Sequence, residues 1–215
     1  MLLPDLDGAH NDWARITRVH YPVYKETAHT MISSGLISGS PLMGVELHGV
    51  NRHSDPRGSF AEVFQTYWNS CIDPVQWSFV ESGAHVLRGM HLHLRHDEYF
   101  CCLQGRALVG LRDLRPESPT QDQWSLYELR GDTPAALTFP RGILHGWYFP
   151  ERSLHIQAVS EAYRDYGPDD NWGCHWADPE LEIPWPQTDA LLSEMARRFP
   201  RLRELKANLS AATTV

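Results

Sequence analysis

Between about Gly44 and Val159 the chain is cut into short stretches of alternating polarity, separated by Gly, Pro, Asp or Ser. Strand side chains point alternately to opposite faces, so this rhythm encodes many short antiparallel strands. Ser59 to Gln65, Val75 to Glu81, Val86 to Leu94, Tyr99 to Leu103, Ala107 to Leu111, Leu126 to Leu129, Ala136 to Phe139 and Leu154 to Val159 read as strands. Asp55-Pro56-Arg57-Gly58, Leu103-Gln104-Gly105 and Phe139-Pro140-Arg141-Gly142 read as turns between them. No helical period persists in this region. A length of 215 residues allows one sizeable core, so residues 44–186 are expected to form a single all-β barrel. In residues 1–43 the apolar side chains Trp13, Val19, Tyr21, Tyr24 and Met31 show no period, and this segment reads as an N-terminal extension packing on the barrel or on a partner subunit. In residues 187–215, Thr188 is expected to cap a C-terminal helix running to about Phe199. Its apolar face would be Leu191, Leu192, Met195 and Phe199.

With 19 Lys+Arg against 27 Asp+Glu, the formal net charge is -8. That balance opposes nucleic-acid or anionic-membrane binding as a general property, while leaving room for a locally basic pocket. Cys71, Cys101, Cys102 and Cys174 form no CxxC pair, and Cys101 and Cys102 would face opposite sides of a strand. Reduced thiols are expected. The first ten residues lack a basic region followed by an apolar run, and no stretch approaches the roughly 20 apolar residues that span a bilayer. A cytoplasmic location without membrane contact is therefore expected.

The sharpest chemical signal is His91-Leu92-His93 followed by Glu98. Alternation places His91 and His93 on one face and Leu92 on the other, and a short turn returns Glu98 toward the same interior. Downstream, Pro140-Arg141-Gly142 places His145 near the start of another strand. Three imidazoles and a carboxylate from two hairpins suit a divalent Fe, Mn, Ni, Co or Zn ion with positions open to water or substrate. The competing view is that these are ordinary polar strand residues in a chain with 12 histidines. His85, His96 and His175 fall outside the pattern. The two elements are similar to the two cupin motifs, which implies a jelly-roll β-barrel.

A second resemblance covers about residues 44 to 195. Asp55-Pro56-Arg57-Gly58-Ser59-Phe60-Ala61-Glu62, Val86-Leu87-Arg88-Gly89-Met90-His91, Asp113 to Thr120, Phe139-Pro140-Arg141-Gly142, His145-Gly146, Trp176-Ala177-Asp178-Pro179 and Glu182-Ile183-Pro184-Trp185-Pro186 occur in that order. This series resembles the dTDP-4-dehydrorhamnose 3,5-epimerases. The resemblance implies a homodimer that binds a nucleoside-diphosphate 4-keto-6-deoxy sugar and epimerises C3, C5 or both by removing a proton beside the ketone, with no organic cofactor. It implies His91 as the base, held by Asp178, and Arg57, Phe60, Glu62, Gln76 and Arg88 as residues that contact nucleotide, diphosphate or sugar. An imidazole suits proton abstraction when donors stabilise the enolate oxygen, and a guanidinium fork suits phosphate.

The chain also departs from that family's pattern. His93 stands where a Gln is usual and Glu98 where a Lys helps bind substrate, while the position of the catalytic Tyr falls on Ser160 or Ala158, depending on the direction of counting. Tyr148 and Tyr163 remain as phenols that can reach the site from elsewhere. A metal at His91, His93, Glu98 and His145 would replace the missing Lys as a Lewis acid, but it would occupy the lone pair of His91. Two other functions follow from the same residues: a metal-dependent cupin enzyme of dioxygenase or lyase type, and a sugar-nucleotide-binding protein without turnover.

Overall fold

The computed structural model describes residues 35–186 and 189–213. The N-terminal extension up to residue 34 and the Thr188 cap lie outside the described residues. The strands are β1 (Leu36–Gly39), β2 (Glu46–Gly49), β3 (Arg52–Asp55), β4 (Gly58–Ala61), β5 (Gln76–Ser82), β6 (Val86–Leu92), β7 (Glu98–Gln104), β8 (Arg106–Asp113), β9 (Trp124–Arg130), β10 (Ala135–Phe139), β11 (Ile143–Phe149), β12 (Ser153–Val159) and β13 (Trp172–Gly173). The helices are α1 (Tyr163–Tyr166), α2 (Glu194–Arg197) and α3 (Leu202–Thr213).

The strands form two antiparallel sheets, in the orders β1-β9-β8-β11-β6-β13 and β2-β10-β7-β12-β5, with β3-β4 as a separate hairpin. This is the expected jelly-roll barrel. Its interior is a cluster that includes Phe100, Cys102, Val109, Leu111, Leu137, Phe139, Trp147 and Phe149. Fully burying a side chain such as Phe100 contributes roughly 1.5–3 kcal/mol. Cys101 belongs to a different cluster, with Tyr99 and Ala136 on the outer face of its sheet, so the two adjacent thiols do face opposite ways. The described cysteines are all free thiols.

The outer face of the six-stranded sheet is covered by the C-terminal segment, through Leu181, Ile183, Leu202 and Leu205 against Leu87, Leu92, Leu126 and Leu144. That segment differs from the expected single helix. Leu191 is extended and bridges Val86 in parallel, with its amide donating to the His85 carbonyl and its carbonyl accepting from the Leu87 amide. The helix begins later, at α2, where Ser193 Oγ accepts from the Ala196 amide at 3.1 Å. A second helix, α3, follows. Pairing with the sheet edge gives the Leu191 backbone partners that a helix would otherwise supply, which overrides the apolar spacing.

β5 is an edge strand with inverted polarity. Gln76 and Ser78 point into the barrel, whereas Trp77 and Phe79 point outward at 44% and 74% exposure. Among the described residues no helix is long and apolar enough to cross a membrane.

Candidate active site

One irregularity between β6 and β11 builds the site. His145 pairs with His91, but the next pairs are Gly146 with Gly89 and Trp147 with Arg88, so Met90 has no partner opposite it. An extra residue on one strand lets side chains three apart share a face. Arg88 and His91 both line the barrel pocket, while Met90 turns out to the sheet's covered face. Gly89 makes this close approach workable. Its φ is +120°, and a Cβ there would fall 2.7 Å from both the Gly146 Cα and the His145 carbonyl oxygen. Only glycine suits both constraints.

The pocket has a volume of about 230 Å³ and is lined by Gln76, Ser78, Arg88, His91, His93, Glu98, His145, Gln157, Tyr166 and Asn171, among others. Burial pushes the His91 imidazole down to about 4, helped by His93 and Arg88, so the ring is neutral near pH 7 with a lone pair to accept a proton. Its Nδ1 is buried without a hydrogen-bond partner, and Phe199 meets the ring edge-on at 5.4 Å.

Asp178 is not the partner of His91. Its Oδ1 accepts from the Glu180 amide at 2.9 Å and its Oδ2 from the Leu202 amide at 2.8 Å. The His91/Asp178 pair implied by the resemblance is thus absent from the structure, because the carboxylate caps the turn Pro179–Leu181 and the first residue of α3.

Glu98 is the meeting point of the polar cluster. Its Oε1 lies 3.2 Å from His96 Nε2, 3.6 Å from His93 Nε2 and 3.9 Å from His145 Nε2. His93 Nδ1 bonds the Asp170 carbonyl at 2.6 Å and His145 Nδ1 the Ile143 carbonyl at 3.0 Å. Burial first of all lowers the pKa of both rings, that of His145 strongly. Of the four residues expected around a metal, His93 and His145 each face Glu98 Oε1 within 4 Å, and the ring of His91 stands 6.3 Å from those of His93 and His145, which are 5.4 Å apart. His96 also joins the cluster. The donor atoms of His93, His96 and Glu98 lie within 4.8 Å of one another. His96 sits in the turn between β6 and β7, where strand alternation gives no guide to its direction.

Gln76 and Arg88 line the pocket. Arg88 is steadied by Nε to Ser82 Oγ at 3.0 Å and by its terminal nitrogen to the Glu81 carbonyl at 3.2 Å, and Gln76 Oε1 accepts from the Tyr163 amide at 3.0 Å. Arg57, Phe60 and Glu62 do not line it. They lie on and just after the β3-β4 hairpin, where Arg57 pairs with Asp55, Phe60 is 63% exposed and Glu62 accepts from Gln65.

Neither Tyr148 nor Tyr163 lines the pocket. The Tyr148 hydroxyl pairs with His85 at 2.9 Å. Ala158 does line the pocket, and Ser160 Oγ accepts from the Asp97 amide. The phenol present is Tyr166, in α1. Its ring stacks on His96 at 4.3 Å, and burial, then Glu98, push its hydroxyl up to about 12, so it stays protonated. Nothing in its spacing from the strand motifs marked it.

Comparison with known proteins gives a consistent result. Residues 40–204 match the family described as dTDP-4-dehydrorhamnose 3,5-epimerase. The spore coat polysaccharide biosynthesis protein SpsL of Bacillus subtilis is 31% identical over 145 residues, 66% of this chain and 95% of that one. The dTDP-4-dehydrorhamnose 3,5-epimerase of Escherichia coli is 31% identical over 160 residues, 70% of this chain and 85% of that one. Among solved structures, the epimerase RmlC of Legionella pneumophila in complex with dTDP-4-keto-L-rhamnose superposes with a TM-score of 0.72 at 26% identity, covering 81% of this chain and 95% of that one.

Proposed function

This chain belongs to the dTDP-4-dehydrorhamnose 3,5-epimerase family, and from that premise we propose how its own residues perform the reaction. It is a nucleotide-sugar epimerase that inverts C3, C5 or both of a nucleotide-linked 4-keto-6-deoxy sugar. The observation that carries the assignment of roles is a neutral His91 sharing one pocket with the Arg88 cation and the protonated Tyr166 phenol. His91 takes the proton from the carbon beside the ketone, and the C–H electron pair moves to the carbonyl oxygen as an enolate. Arg88 and the Tyr166 hydroxyl supply positive charge and a donor for that oxygen. Return of a proton to the opposite face, from Tyr166, completes inversion; the proton on His91 exchanges with solvent.

The recognition residues on the hairpin argue for a homodimer. Arg57, Phe60 and Glu62 do not line the pocket of their own chain and are exposed, and the β5 edge beside that pocket exposes Val75, Trp77 and Phe79. A second copy docked along that edge would bring its hairpin to the nucleotide end of the pocket, with Arg57 on phosphate and Phe60 against the base. Free thiols at Cys71, Cys101, Cys102 and Cys174 suit a reducing cytoplasm.

Incubation with dTDP-4-keto-L-rhamnose in D2O tests the activity. A gain of one mass unit for each exchanged centre, with loss of the matching proton resonance, is expected. An unlabelled sugar recovered after many equivalents of enzyme-hours would sink it.

A further inference from the structure

The cluster around Glu98 holds more polar groups than proton abstraction by His91 uses. A backbone carbonyl can only accept, so His93 Nδ1 and His145 Nδ1 carry their protons toward Asp170 and Ile143. In neutral rings this leaves bare lone pairs at both Nε2 atoms, and both face the same carboxylate oxygen, at 3.6 and 3.9 Å. Neither lone pair is satisfied by the anionic oxygen it faces, whose hydrogen bond is with His96 Nε2 at 3.2 Å, and a cation between the two rings and the carboxylate would satisfy both.

His96 completes the pattern. It is fully buried, its Nε2 lies 3.2 Å from Glu98 Oε1, and its Nδ1 faces Asp170 Oδ2 at 3.4 Å. Asp170 is itself anchored, accepting the Leu94 and Arg95 amides at 2.8 and 3.1 Å. Asp170 thus orients His93 through its carbonyl and sets its carboxylate beside His96 Nδ1. Outer carboxylate and carbonyl acceptors of this kind fix the tautomer of histidines that ligate metal.

We propose that His93, His96 and Glu98 bind a divalent first-row transition cation, with His145 as the adjacent fourth donor and Asp170 as the orienting residue, and that His91 is not a ligand. The donor atoms of His93, His96 and Glu98 lie within 4.8 Å of one another, His145 Nε2 lies 3.9 Å from Glu98 Oε1, and all are the nitrogen and oxygen types that Zn, Co, Ni, Mn and Fe accept. Leaving His91 outside removes the conflict between metal binding and its role as base, a point that rests on the proposed function; the metal site itself does not.

The test is metal content, independent of turnover. Full-length protein without an affinity tag, equilibrated with Co2+ and in parallel with Zn2+ and then desalted, is expected to retain about one equivalent per chain by elemental analysis, with visible absorption for cobalt. His91→Asn is expected to retain the same amount. Glu98→Gln and His96→Gln should lose it, and Asp170→Asn should bind about 10- to 100-fold more weakly, with circular dichroism confirming that each is folded. Should a variant not fold, the wild-type and His91→Asn contents still decide the matter. Wild-type protein that retains no metal, or His91→Asn that loses it, overturns the proposal. Metal retained by an enzyme without isotope exchange would instead reject the epimerase mechanism and leave the metal site standing.

Discussion

Replacing Asp178 with alanine is expected to destabilise the protein without disabling proton abstraction. The residue is 6% exposed, and its two oxygens accept the amides of Glu180 and Leu202 at 2.9 and 2.8 Å. A hydrogen bond to a charged group contributes about 1.5–3 kcal/mol, and loss of a helix cap costs about 0.5–2 kcal/mol. The two effects overlap at Leu202, so the expected loss is about 3 kcal/mol. For a chain of this size that lowers the melting temperature by about 6 to 12 °C. Asp178→Asn keeps one acceptor oxygen and should lose about half as much. The assay pairs urea denaturation with deuterium uptake into dTDP-4-keto-L-rhamnose, expressed per folded molecule. Stability within about 0.5 kcal/mol of wild type together with a hundredfold slower exchange would refute the capping role and restore Asp178 as the partner of His91.

Gly89→Ala places a methyl group 2.7 Å from the Gly146 backbone at a φ of +120°; a loss of about 1–3 kcal/mol and a distorted pocket are expected, and wild-type stability with full activity would count against the bulge as the device that places His91. Tyr166→Phe keeps the stack on His96 but removes the hydroxyl, so net epimerisation should fall about 100-fold while exchange at the first centre persists; equal retention of both would remove Tyr166 from the reaction. Burial alone would raise the Asp113 carboxyl, but hydrogen bonds from Arg115, Ser118 and Thr120 outweigh it and hold the group at about 2. Its contribution, at most about 2.5 kcal/mol, is present above the ordinary carboxylate value and fades as pH falls from about 4 to about 2. The urea-midpoint gap between wild type and Asp113→Asn should accordingly narrow in acid, and a gap that stays constant contradicts the assignment.

The strands were legible because period-two alternation with turn residues has few other solutions: Val86 to Leu94 is observed as Val86–Leu92 and Ala136 to Phe139 as Ala135–Phe139. The shared face of His91 and His93 followed from the same alternation. Arg88 did not, since residues three apart in an unbroken strand face opposite ways; the unpaired Met90 is a backbone event with no side-chain signature. His96 lies in a turn and Tyr166 ends the four-residue helix α1, where direction depends on tertiary contacts such as their mutual stack. Asp178 shows the limit of a motif. An Asp before a Pro satisfies a cap as readily as a catalytic pair, and only the position of the Leu202 amide, 24 residues away in sequence, decides between them. The helix expected from Thr188 yielded to Leu191 pairing at the sheet edge, a long-range contact that periodicity does not encode.

The most direct test of His91 as the base is solvent deuterium uptake by His91→Asn, with substrate binding measured alongside. The expected result is exchange slowed by about 10²- to 10⁴-fold with binding retained. Exchange within tenfold of wild type would contradict the account and move the search for the base to the residues around Glu98.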